Sequence, residues 1–476
     1  MRTRILLALV FTGFIRFAAL AQWSSPADIS PGAVSALLNE SMGSCIGVSG
    51  DTIHVVWCDR FSAKKGALYY TMSADTGLTW TAPIPITGIN GNAWNPAISV
   101  SGSRVHVVWR EIDTVDNHRS SHYRHSLDGG STWGPGVMLD SVIANWPAVT
   151  ASGNSVYVAN DIVTSQSPYN TEIFFLRSAD NGTTWSPHQQ ITYASGRSED
   201  EAITAQGPHI HMVWNDNRYN NKMQIFYKSS PDYGITWSSD DTISPPYGYG
   251  TMVSADSSNV DVAYAGAPTT HYQVHIVQSG DNGLTWGTDK NLTNDPDTTF
   301  YYPYMVRDGS DLHLTYVKAF IGGQYLHSGD GGTNWDAPFT FFPGNIGITA
   351  FTAISGCAVH IIYASNTDHH VHYMRNPTGN NGRHCLATTG IPGIELPDSM
   401  NVYPDPFDIS ATIEFQKELQ NACLRIYNIW GQVVKTQIVT GNRMILERNN
   451  LPGGIYYLQV TTGHGVIMKC KIIISG

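Results

Sequence analysis

The sequence predicts an all-β chain: a seven-bladed β-propeller closed by its N-terminal strand, followed by a small immunoglobulin-like β-sandwich. Two observations carry the propeller. A pattern close to Ser-x-Asp-x-Gly-x-Thr-Trp occurs six times, at residues 73–80, 126–133, 178–185, 230–237, 279–286 and 328–335, and its tryptophans stand 53, 52, 52, 49 and 49 residues apart. A second-strand motif of the I-H-V-V-W kind occurs seven times, at 53–57, 105–109, 156–159, 210–214, 260–264, 312–316 and 359–363. A period of about 50 residues with four strands per unit is that of a propeller blade.

In chain order, Arg2 and Arg4 lead an apolar run that ends in Ala19-Leu20-Ala21, so residues 1–21 read as a cleaved export signal. A membrane anchor is the rival reading. The uninterrupted apolar run is far shorter than the roughly 20 residues that a spanning helix needs, and no later segment qualifies, so no transmembrane segment is expected in the mature chain.

The opening stretch W-S-S-P-A-D-I-S, 23–30, has no nearby partner, yet its Trp, its Ile six residues on and the hydroxyl residue that follows match W-T-A-P-I-P-I-T at 80–87 and W-S-P-H-Q-Q-I-T at 185–192. The seventh unit stops after its third strand, 370–375, with no box. Residues 23–30 are therefore expected to supply its outer strand and to close the ring like a clasp, which removes exposed sheet edges. The second unit illustrates the blade: strands at 97–101, 105–109, 121–125 and 133–139, with Gly102-Ser103 turning the first hairpin and the box turning the last.

Within each box the Asp carboxylate can accept from N–H groups of its own turn, the Gly supplies a positive φ and the Trp is an apolar plug. Asp75, Asp128, Asp180, Asp232, Asp281 and Asp330, with Trp80, Trp133, Trp185, Trp237, Trp286 and Trp335, are accordingly structural. They lie one per blade around a ring, which argues against a metal or catalytic array.

The propeller is expected over 22–378 and a turn-rich linker over 379–397. A second β domain over 398–476 has strands near 412–415, 423–427, 454–460 and 468–474. The 476 residues include 45 Gly, 24 Pro, 13 Trp and 24 Tyr, only 14% are charged, and the formal net charge is -11. That balance, with no basic run, argues against nucleic acid or an anionic membrane as the main partner. The six cysteines have no C-x-x-C spacing. Cys45 with Cys58, and Cys423 with Cys470, are the disulfides considered, beside buried thiols.

The S-x-D-x-G-x-T-W units resemble the Asp-box (BNR) repeats of the sialidase superfamily over residues 23–375. The resemblance implies the fold, and it puts the functional rim opposite the boxes. Links between second and third strands and between blades share that rim, which carries Trp94, Trp146, Tyr249, Tyr301, Tyr302 and Asp216 as candidates for binding a sugar, or else as packing at the inner blade ends.

Sialidase chemistry would require an arginine cluster gripping a carboxylate, a Tyr-Glu nucleophile and an Asp acid-base. The suppliers would be Arg60, Arg110, Arg197 and Arg218 with Tyr249, Tyr302, Glu199 and Glu201. The family's Arg-Ile-Pro signature is absent, and catalytic sialidases of this resemblance have six blades. His54, His106, His211, His313 and His360 occupy equivalent places in different blades, and His370 with His372 lacks further ligands, so no metal or other cofactor is expected.

The blocks N-V-Y-P-D-P-F at 401–407, L-R-I-Y-N-I-W-G-Q-V-V at 424–434 and L-P-G-G-I-Y-Y-L-Q-V at 451–460, then K-C-K before I-I-I, resemble the type IX secretion sorting domain of Bacteroidetes-like bacteria. This implies handling by the type IX machinery and a secreted or outer-surface location in a Gram-negative bacterium. The expected function is non-catalytic binding of an extracellular glycan or protein, with a sialidase-type exo-glycosidase and a structural surface protein as alternatives.

Overall fold

The computed structural model describes residues 23–385 and 400–475, apart from 40–42, 63–64, 90, 114, 142–143, 268–270, 296–297, 345, 383–384, 404–406, 429–432, 450 and 463–464. The expected export signal and most of the expected linker lie outside the described residues. Two compact units divide at 388/389.

The first unit is a ring of seven antiparallel sheets. Blade one holds Ala36–Leu37 and Ile46–Ser49 as a divided inner strand, then Thr52–Ser62, Lys65–Ser73 and Ile84–Pro85. The inner strands of blades two to seven are Ala93–Ser101, Ala148–Ser152, Ser198–Gln206, Gly248–Asp256, Phe300–Asp308 and Ile346–Ser355, and each touches the next around the ring. Six of the seven line a central cavity of ≈ 200 Å³, among them through Val48, Val100, Thr150, Thr204, Met252 and Tyr304. Seven apolar clusters fill the wedges between successive sheets, such as Val56, Leu68, Ile98 and Val107 between blades one and two. Burial of these facing surfaces is what joins the blades.

The clasp forms as expected. Ala27–Asp28 pairs antiparallel with Val371–Asn376, Ser24 N–H donates to the Arg375 carbonyl at 2.8 Å and Ile29 N–H to Val371 at 3.0 Å.

The boxes are the turns the sequence predicts. Asp128 Oδ1 accepts from Thr132 N–H at 2.8 Å and its Oδ2 from the Thr132 hydroxyl at 2.6 Å, which hold the carboxyl down at about 2. Each box also grips the first hairpin of its own blade, as in Gly129 N–H to the Ser103 carbonyl, 2.7 Å, so both turns share one face.

A relay connects the blades on that face. His106 Nδ1 meets the Tyr123 hydroxyl at 2.7 Å, and the hydroxyl donates to Asn181 O in the next box at 3.1 Å. The pairs His54–Tyr70, His211–Tyr227 and His360–Tyr373 repeat it, which explains the periodic histidines. Gly182, at φ +82°, lets the Tyr123 hydroxyl approach, since a Cβ there would lie 1.9 Å from it.

Neither considered disulfide forms. Cys45 Sγ lies against the Pro96 carbonyl and Cys58 Sγ against Ala93, each facing the next blade rather than the other thiol. Cys423 and Cys470 sit on strands separated by a third, about 10 Å apart at normal strand spacing and beyond disulfide reach. The bond that does form joins Cys357 to Cys385. It ties down the start of the stretch read as linker, where Asn380 N–H also donates to the Cys357 carbonyl at 3.0 Å.

The second unit has five strands, Met400–Tyr403, Ser410–Tyr427, Val433–Glu447, Gly454–Thr462 and Gly465–Ile474, around one apolar core. The strands expected at 412–415 and 423–427 are one long strand with register shifts between Glu414 and Ala422. Its first half pairs with Met400–Tyr403 and its second with Gly454–Thr462, and a bridge from Phe407 to Ile474 nearly closes the sheet. This is the arrangement of a small β-sandwich.

Candidate functional site

On the face opposite the boxes, the inner strands of blades two, four, five and six each carry a register shift at one equivalent place: Trp94/Ala97, Glu199/Ala202, Tyr249/Met252 and Tyr301/Tyr304. Within each lies a residue of positive φ, namely Asn95 at 49°, Asp200 at 56°, Gly250 at 59° and Tyr302 at 31°. Three of these are not glycine, in backbone territory that other residues seldom occupy. A bulge sets two residues against one and so turns side chains out of the strict in-out alternation of a strand. At Gly250 the missing Cβ makes room for Tyr302, whose Cδ1 would lie 2.7 Å from it.

The result is a polar patch built by four consecutive blades. From blade three, buried Asp161 accepts from Asn145 Nδ2 at 3.0 Å and from Trp146 N–H at 2.9 Å. Blade four contributes Glu199, Asp200 and Glu201, and Asn215 Nδ2 holds Asp200 at 3.0 Å. From blade five the Tyr249 hydroxyl bonds Asp200, and from blade six Tyr302 meets Tyr249 with ring centroids 5.9 Å apart.

Burial, more than mutual repulsion, sets the electrostatics. Loss of hydration raises Asp161 to about 6 and Glu199 to about 7, and drives Glu201 well above the carboxylate range. Asp200 is raised for the same reason, against the hydrogen bonds from Tyr249 and Asn215. Glu199 is the one of the four that reaches the surface appreciably, and Arg197 Nη1 stands 3.4 Å from it.

The four arginines have separate engagements. Arg60 stacks on Trp94 at 4.1 Å and Arg110 on Trp146 at 4.5 Å, each reaching from one blade to the next. Arg218 bonds Asp216 at 2.6 Å and Asp240 at 2.7 Å and lies over Phe226. Arg197 faces Glu199, and Arg110 bears on Asp161.

Asp216 is buried and also accepts from Ser198 and Trp214, so it braces a link. Tyr301 packs into the core between blades six and seven. Trp94 and Trp146 each have one ring face covered by arginine. Glu199, Glu201, Tyr249 and Tyr302 are brought together. The sequence places Asp161 and the run R-S-E-D-E at 197–201 on this rim, where Asn, Asp and Arg could bond sugar hydroxyls, but does not single out Asp161 or Asp200; the signal present was the acidic run S-E-D-E where an inner strand should alternate with apolar residues.

On the box face, Asp311, His313 and His327 bring ligand-type atoms within 4.8 Å of one another. His370 and His372 are paired instead with Asp28 and Asp368, at 2.8 Å each. Among the described residues no helix is long and apolar enough to cross a membrane.

Among families, the BNR repeat-like domain matches residues 14–314 and the secretion system C-terminal sorting domain matches 401–475. No curated protein matches. Among solved structures, a polysaccharide lyase of family PL25, an ulvan lyase bound to GlcA(1-4)Rha3S, aligns over 77% of this chain and 100% of its own, at 11% identity and a TM-score of 0.53. A Hadza microbial sialidase aligns over 67% and 73%, at 14% identity and 0.45. An α-L-arabinofuranosidase of Fusarium graminearum, in complex with an iminosugar inhibitor, aligns over 57% and 89%, at 15% and 0.43. Likeness at these identities speaks to fold alone. The chain belongs to the BNR repeat-like domain family, as a seven-bladed propeller whose type IX sorting domain directs it to secretion or the outer cell surface.

Proposed function

We propose that the patch at the channel mouth of blades three to six binds an uncharged extracellular glycan. The observation that carries this is two hydrogen-bonded groups at one mouth, Asn145 with Asp161 and Asp200 with Tyr249 beside Tyr302, near enough for the charge of Asp200 to act on Asp161. Carboxyl, amide and phenol groups there can exchange hydrogen bonds with sugar hydroxyls, and the half-buried rings can lie against apolar sugar faces. An anionic sugar suits the site poorly. Arg218 is taken by two carboxylates and Arg60 and Arg110 by tryptophans, so no three-arginine grip on one carboxylate is assembled.

One observation favours a second reading, hydrolysis of the bound glycan. Glu199, raised to about 7 and within reach of solvent, has the proton affinity of a general acid at neutral pH, in the same patch as Asp161, which burial raises only to about 6.

The test is a glycan array probed with the mature chain, followed by product analysis on every glycan retained. Retention of neutral oligosaccharides is expected. Retention of sialylated glycans alone would overturn the charge argument, and no retention at all would leave a protein-binding or structural role. Release of a sugar that ceases in Glu199→Gln would establish the second reading.

A further inference from the structure

We infer that Asp311, His313 and His327, with Asn380, form a binding site for a divalent transition metal of the zinc type on the box face of blade six. The argument starts from the repeated His–Tyr relay. In blades two, four and seven the tyrosine hydroxyl gives its proton to a carbonyl of the next box, at 3.1, 3.1 and 3.2 Å. The paired histidine must then donate through Nδ1, which leaves Nε2 as a bare lone pair. In His106, His211 and His360 that Nε2 has no protein partner.

His313 occupies the same position and meets the Tyr325 hydroxyl through Nδ1 at 2.6 Å; blade seven has no box to take that hydroxyl's proton, and here Nε2 faces oxygen ligands. Asp311 Oδ2 and Asn380 Oδ1 each stand 3.4 Å from it. The orientation of the Asn380 amide is set by its surroundings: its Nδ2 donates to Asp308 and to the Gly356 carbonyl, and its Oδ1 accepts from Gly382 N–H. His327 completes the group. Its Nδ1 is held by Asp336 at 2.7 Å and its Nε2 points at Asp311 Oδ1, 2.8 Å away.

Two imidazole nitrogens, a carboxylate and an amide oxygen thus converge as electron-pair donors. Ligands about 2.0–2.1 Å from a tetrahedral centre lie roughly 3.3 Å apart; the pairs above stand at 2.8 and 3.4 Å, and the Asp311, His313 and His327 atoms all lie within 4.8 Å of one another. Each histidine has its other nitrogen anchored, by a phenol and by a carboxylate, which is the support that metal-bound imidazoles characteristically receive. Two nitrogens and two oxygens suit zinc and its neighbours better than calcium or magnesium. Blade six is also where the Cys357–Cys385 strap, which carries Asn380, crosses the box face, so a metal would fasten the end of the ring.

The competing account is a protonated His327 held between Asp311 and Asp336 with no metal. Elemental analysis of the untagged mature chain, after dialysis against a chelator and titration with zinc, separates the two. The inference expects one equivalent rebound, a melting temperature raised by several degrees with zinc but not with magnesium, and loss of both effects in His327→Gln. Asp336→Asn, at an exposed position that leaves the core untouched, should still fold and bind zinc about 10- to 100-fold more weakly. No retained or rebound metal in the wild type, or rebinding undiminished in both variants, would overturn it.

Discussion

Trp23 meets Tyr325 edge to face, with centroids 5.0 Å apart and planes at 75°. The box pairs have the same geometry, Trp133 on Tyr70 at 4.9 Å and 76° and Trp185 on Tyr123 at 4.9 Å and 79°. The seventh blade therefore has its tryptophan after all. It comes from the far end of the chain, and the same residue also stacks on Phe339 at 5.9 Å.

Trp23→Ala should accordingly destabilise the propeller by about 2–4 kcal/mol, somewhat below the range for a fully buried aromatic. Removal of residues 22–30 should lower the melting temperature further, because it also strips the hydrogen bonds to Val371 and Arg375. Unchanged denaturant midpoints in both variants would refute closure by the clasp.

Gly182→Ala should cost more than about 2 kcal/mol, since the residue combines a positive φ with a Cβ that would fall on the Tyr123 hydroxyl. Tyr123→Phe should cost about 1 kcal/mol through loss of the bonds to His106 and Asn181. Urea titration of the two variants gives both numbers, and the order glycine above tyrosine is the result to look for.

Reduction of Cys357–Cys385 opens a loop of sequence separation 28, which in the chain-entropy picture is worth about 3.5 kcal/mol. Thermal melts with and without reductant should differ by several degrees. Cys357→Ser should match the reduced wild type, and Cys45→Ser should leave the reductant effect intact.

Glu199 and Asp161 have folded-state pKa values raised to about 7 and about 6. The stability they allow is fully present below their ordinary values near pH 4 and is lost as pH rises through 6 to 7, because folding then confines a charge away from water. Glu199→Gln should therefore match the wild type near pH 4.5 and exceed it at pH 8, in melting temperatures measured at both. A difference independent of pH would contradict the assigned burial.

Much of this architecture is legible in the sequence because a repeat states its own geometry. Six boxes, seven second strands and one displaced Trp–Ile–Ser pattern are enough to count blades and to place the clasp. The histidine periodicity is equally visible, and its reason, the bond from His106 to Tyr123, lies within one blade.

What is not legible depends on neighbours across blades or on local departures from the repeat. The bulges that give Asp200 and Tyr302 positive φ leave no regular mark in the sequence. The arginine stacks join residues 34 positions apart, Arg60 to Trp94, or 36, Arg110 to Trp146, in different sheets. The disulfide pairs Cys385, from a stretch that reads as linker, with a cysteine in the last blade. In the terminal unit, Val433–Glu447 buries only Val439 and Leu446 among mostly exposed positions, too few to mark a regular inward face in the sequence.

The central claim is that ligand meets the mouth of blades three to six, opposite the boxes, rather than the box face. The direct measurement is calorimetric affinity for the neutral oligosaccharide best retained on the array, in the wild type, Tyr302→Ala and Leu284→Ala, the last an exposed residue of the fifth box. The account predicts a loss of about 1–3 kcal/mol for Tyr302→Ala and none for Leu284→Ala. Full affinity in Tyr302→Ala together with weakened binding in Leu284→Ala would contradict it.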